Sequence, residues 1–94
     1  MLILSGAFMF SCATLDRPDT EMIFASAAMK AASAEQAERR APDLYRKAEM
    51  RFLAAKRYYE LKDFSKAKKA AREAKKIAEK AEIIAVLKSI DSSM

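Results

Sequence analysis

A chain of 94 residues with 20 alanines, one glycine, two prolines, one cysteine and no histidine or tryptophan makes one small domain of long helices, because alanine leads in helix propensity and sheets need turn residues. That inventory excludes all-β and α/β folds, and it leaves neither the clustered ligands of ordinary metal sites nor the common nucleophile and base pairings. The formal charge of +5 is concentrated in residues 42–94, where 14 Lys and Arg face 8 acids; such a half points to an anionic neighbour, whether membrane surface, cell-wall polymer, nucleic acid or acidic protein.

Residues 1–10, MLILSGAFMF, are an uncharged apolar run, half the length a membrane-spanning helix requires and the right length for the apolar region of a secretion signal. Ser11 and then Cys12 follow, before the polar stretch Ala13-Thr14-Leu15-Asp16. A cysteine directly after a short apolar region resembles the lipobox of bacterial lipoproteins, with Met9 and Phe10 in place of its usual leucine and small residue. The resemblance implies a signal peptide over residues 1–11, thioether formation and acylation at Cys12, and a tether over residues 12–19. A thiol is the nucleophile that chemistry needs, and two or three acyl chains hold far more firmly than one. Since Ala13 rather than aspartate follows the cysteine, the family's sorting pattern implies the outer membrane, on its periplasmic face. Three other readings stay open: ordinary cleavage after Ala13, an uncleaved anchor, and a cytosolic chain whose first helix is apolar.

Asp19 and Thr20 are both good N-caps, and no breaker follows before Pro42, so the first helix is predicted over about 20–39 with Phe24, Ala27, Ala28, Ala31 and Ala34 near one face. Pro42 suits the first turn of a second helix, over about 42–61, and Asp43 favours its positive end. Its stripe is Tyr45, Ala48, Phe52, Ala55 and Tyr59. Lys62-Asp63 forms a turn, with Asp63 as a cap, and a third helix runs over about 64–89, leaving 91–94 as a tail of a helical domain spanning 20–90. Ala67, Ala71, Ala74, Ala78, Ala81 and Ala85 recur at alternating spacings of four and three, a heptad seam that admits a neighbouring helix at the short end of the usual 8 to 10 Å. The expected fold is all-α: a three-helix antiparallel arrangement in which the second and third helices form a hairpin, with Tyr45, Phe52, Tyr58 and Tyr59 as its packing or groove residues.

The segment from Tyr45 to Glu82 resembles a tetratricopeptide-type helix pair. Ala54, Ala55 and Tyr58 match in its first helix, Lys62-Asp63-Phe64 stands in place of the usual Gly-Asp-Tyr turn, and Ala67 and Ala74 fall at the small positions. Residues 12–88 are also similar to a group of short bacterial envelope lipoproteins with an alanine-rich helical domain of unknown function, some of them fused to OmpA-like peptidoglycan-binding domains. The shared features are an alanine-rich first helix, the junction Ala41-Pro42-Asp43-Leu44-Tyr45, and the Lys-Asp-Phe turn before an alanine-rich last helix. A single helical pair is too small for a solenoid, so marginal stability alone, or stabilisation by a partner or by self-association, is expected.

Lys68, Arg72, Lys76 and Lys80 recur every fourth residue, a ladder of like charges that costs a helix about 0.2 to 0.5 kcal/mol per pair. The bland reading is a solvated face. The functional one is a contact with an anionic partner: lipid phosphates, the carboxylates of peptidoglycan stems, or an acidic envelope protein. The carboxylates Glu49, Glu60 and Glu73 are scattered among lysines, and no glycine-rich loop exists outside the leader. No catalysis, metal or cofactor is therefore expected. The expectation is a lipid-anchored envelope module for interaction or assembly; the alternative is a cytosolic basic helical protein that binds nucleic acid through the same helix. Nucleic acid is not the expected partner, because a secreted chain lies away from DNA and no helix-turn-helix spacing with a glycine turn is present.

Overall fold

Alanine-rich runs between two short turns fold as the propensities dictate. In a computed structural model that describes residues 18–93, four helices follow one another, with no strand among the described residues. They are α1 (Asp19–Ala34), α2 (Ala37–Arg40), α3 (Pro42–Glu60) and α4 (Phe64–Ser93). Cys12, the leader and most of the expected tether lie outside the described residues.

The alanine seam of α4 is the axis of the fold. All six of its residues, with Ala70 beside them, are buried, and α1 and α3 each pack chiefly on α4 and less on each other. Three layers of small side chains run along this axis. Ala25 and Ala55 meet Ala70, Ala71 and Ala74; Ala28, Met29 and Ala48 meet Ala78; Ala32, Ala37 and Ala41 meet Ala81 and Ala85. The order of these layers makes α1 parallel to α4 and α3 antiparallel to both. The all-α three-helix arrangement with an α3–α4 hairpin is therefore present, and each long helix reverses the direction of the one before it. Methyl groups let the axes approach closely, and the larger Tyr45, Phe52 and Tyr58 fill the flanks of the layers.

Four boundaries differ from those read off the sequence. The first helix does not run to residue 39. It stops at Ala34, where the Glu35 N–H donates to the Ala31 and Ala32 carbonyls, and Gln36 adopts φ 62°. Local propensity favours continuing through Gln36-Ala37-Glu38-Arg39, but a straight extension would carry Ala37 and Ala41 away from the core. The left-handed turn at Gln36 swings them in against Ala81 and Ala85 instead, so packing overrides propensity. Lys88 Nζ closes this corner by donating to the Arg40 carbonyl at 2.5 Å, and Pro42 keeps Ala41 out of the helical region, at φ −139°.

The second difference is at the start of α1. Asp19 already lies in the helix and Pro18 precedes it, buried, with no side-chain cap. The third is the expected tail, of which Asp91–Ser93 continues α4.

The buried face of α1 is also rotated from the expected one. Ala25, Ala28, Met29 and Ala32 point inward, whereas Phe24 is 53% exposed and Ala27 and Ala34 face solvent. With alanine on every side of the helix, periodicity did not single out a face. No helix among the described residues is long and apolar enough to cross a membrane.

The fourth boundary is the α3–α4 turn, which keeps the expected Asp63 cap but lies one residue earlier than Lys62-Asp63, because α3 ends at Glu60. Leu61 and Lys62 form it, Lys62 takes φ 62°, and Asp63 Oδ1 accepts the Lys66 N–H at 3.3 Å as an N-cap.

Candidate functional site

The expected basic ladder does not form one flat face. Each step of four residues advances about 40° around an α-helix, so the ladder winds across the outer surface of α4. Lys68 and Arg72 lie toward α1, and Arg72 meets Glu21 of that helix at 3.7 Å. Lys76 and Lys80 lie toward α3 and line a groove between the two long helices.

That groove encloses about 1030 Å³. Its α3 wall is Lys47, Met50, Arg51 and Ala54; its α4 wall is Glu73, Lys76, Ile77 and Lys80. Both quartets are spaced i, i+3, i+4, i+7, the pattern that puts four side chains on one side of a helix. Arg51 and Glu73 pair across it at 3.3 Å. They also border a smaller continuation toward the α3–α4 turn, lined by Tyr58, Lys66, Lys69 and Ala70. From Lys66 to Lys80 the two compartments extend about 21 Å at the helical rise of about 1.5 Å per residue. Lysines and the exposed Met50 form the rim, and Ala54, Tyr58, Ala70 and Ile77 the floor. Met50 is 64% exposed and packs in none of the alanine layers.

The four aromatic residues divide. Tyr45, Phe52 and Tyr58 are half-buried against the alanine layers and belong to the packing. Tyr58 also faces the groove and carries Lys66 Nζ 5.7 Å above its ring. Tyr59 serves the other side of the hairpin. Its hydroxyl donates to Asp19 Oδ1 at 2.5 Å, its ring meets Phe64 edge-on at 5.4 Å, and it ties the start of α1 to the end of α3. Tyr45 has its hydroxyl pushed up from the ordinary tyrosine range by burial, while a hydrogen bond with Ser33 opposes the shift. Ser33 Oγ in turn donates to Glu38 Oε2 at 2.9 Å.

Sequence reasoning missed Lys47, Met50, Arg51 and Ile77. The signal that finds them is the matched pair of quartets, which becomes visible only when the two helices of the hairpin are laid side by side. A second exposed apolar row, Ile83, Leu87 and Ile90, lies on α4 opposite the seam. Among the described residues no three His, Cys, Asp or Glu side chains gather in a group that could hold a metal ion.

Compared with family models, with curated proteins and with solved structures, the chain finds no match.

Proposed function

We propose that this chain is a lipid-anchored cell-envelope protein, acylated at Cys12. Its helical hairpin acts as a non-catalytic interaction or assembly module on the periplasmic side of the outer membrane. The observation that supports the module reading is the lysine-rimmed apolar groove between α3 and α4. The anchoring half of the reading rests on the sequence: the apolar run, Cys12, Ala13, and the resemblance to short envelope lipoproteins.

Geometry links the two halves. Seven residue steps lead from Cys12 to Asp19 and span at most about 24 Å when extended. Asp19 is hydrogen-bonded to Tyr59 at the turn end of the hairpin. An anchor at Cys12 therefore keeps the start of α1, and with it the Tyr58–Lys66 end of the groove, within reach of the bilayer. Tethering also raises the local concentration of the module for partners on the same surface.

Processing decides the anchoring. Incorporation of a palmitate analogue that is abolished by Cys12→Ser, together with globomycin-sensitive maturation, is the expected result. A cytosolic product that keeps Met1 refutes it. If that product also binds DNA with a steep salt dependence, the nucleic-acid reading takes its place.

A further inference from the structure

We propose that the α3–α4 groove docks an acidic amphipathic helix of a partner protein, about four turns long. This deepens the module reading above and rests on it, but not on the anchor.

Shape argues for a helix. Two helices side by side leave a channel whose walls are ridges at i, i+3, i+4 spacing, and a third helix laid along it sets its own ridges between them. A run of about 21 Å corresponds to about 14 residues of helix.

Charge argues for acidity. Lys47, Lys69, Lys76 and Lys80 line the groove and make no ion pair among the described residues. The one acid there, Glu73, is engaged with Arg51. That pair is more than a third exposed on both sides, so it contributes little to stability and yields readily to a competing carboxylate.

The apolar lining of Met50, Ala54 and Ile77 completes the selection. Phosphates of a nucleic acid gain nothing from an apolar strip, and a flat bilayer does not enter a channel between two helices. A second copy of the chain is the weaker fit: the outer side of α1 carries Ile23, Phe24 and Lys30, and the exposed apolar row Ile83, Leu87 and Ile90 of α4 has Lys80 and Lys88 beside its acids Glu82 and Asp91.

The test uses the full chain and fluorescence anisotropy with a labelled synthetic peptide of about four helical turns, a leucine stripe flanked by glutamates. The same peptide with lysine at every glutamate is the control, and phosphatidylglycerol vesicles are a separate arm. The acidic peptide should bind saturably and the lysine peptide should not. Lys76→Glu with Lys80→Glu should weaken binding on the order of tenfold or more, and the effect should shrink in high salt. Met50→Asp, at an exposed site, should weaken it severalfold with helicity unchanged by circular dichroism. Should the charge reversals disturb the fold, Lys76→Gln with Lys80→Gln gives the same test at smaller amplitude.

Equal binding of both peptides, or binding indifferent to all of these variants, overturns the proposal. So does a response of the lysine variants confined to vesicles, or a peptide signal explained by self-association in sedimentation. Loss of palmitate labelling with peptide binding intact would refute the anchor alone.

Discussion

Replacing Ala78 by leucine puts an isobutyl group where the structure has room for a methyl. Ala78 has no exposed surface and lies in the middle layer between Ala28 and Met29 on α1 and Ala48 on α3. An overpacked core site ordinarily costs about 1–3 kcal/mol. Here the upper end applies, because the larger side chain separates α4 from two helices at once and, of the neighbours, Ala28 and Ala48 can shrink only to glycine, leaving Met29 alone to shift. For a domain of this size about 3 kcal/mol corresponds to a fall in Tm of roughly 12–24 °C. Ala27→Leu is the matched control: the same chemistry, on the solvent side of α1, where a change within about 0.5 kcal/mol is expected. Ala78→Gly tests the other direction and should cost about 2 kcal/mol, from lost helix propensity and one buried methyl. Urea and thermal unfolding followed at 222 nm measure all three. If Ala78→Leu melts with the unmodified chain, or Ala27→Leu falls as far as Ala78→Leu, the close-packed seam and the assigned face of α1 are both wrong.

Lys62 holds a left-handed conformation that glycine adopts without strain, so Lys62→Gly should stabilise the chain by about 0.5–1 kcal/mol in the same urea assay. Asp63→Ala removes the cap on the Lys66 N–H together with the ion pair to Lys66; a loss of about 1 kcal/mol is expected. Tyr45 provides a pH-dependent test. Its hydroxyl ionises at higher pH in the folded chain than in the unfolded one, so its contribution is complete below the ordinary tyrosine pKa and is lost as pH rises through the folded value. Unfolding midpoints measured on both sides of pH 10 should therefore fall more steeply for the unmodified chain than for Tyr45→Phe. Parallel slopes would refute that account of burial at Tyr45.

Helix existence was legible because it depends on composition and spacing: six alanines at four-three intervals leave α4 one face to bury, and Pro42 and Asp63 mark starts that the structure uses. What escaped was decided between helices. Nothing in Glu35-Gln36-Ala37 announces a left-handed turn, since the gain comes from Ala37 and Ala41 reaching Ala81 and Ala85, more than forty positions away in sequence. The face of α1 escaped for a related reason, as eight of its sixteen residues are apolar alanine or methionine and they lie all round the helix. The basic ladder on α4 was read as one row, but a four-residue repeat winds around the helix, so only its second half joins the groove. The other half of the site, on α3, carries two apolar and two basic residues that look like ordinary surface until Glu73 and Ile77 stand opposite.

An interior lined almost entirely by methyl groups also restricts how this chain can change. In most cores a larger side chain on one element is accommodated by trimming its neighbour, and volume passes back and forth between helices. Where alanine faces alanine, as at Ala48–Ala78 and Ala55–Ala74, the partner can be trimmed only to glycine, which weakens the helix it enters. Compensating pairs are thus nearly closed to the seam, and variation is channelled to the outer faces, where the groove and its lysines lie.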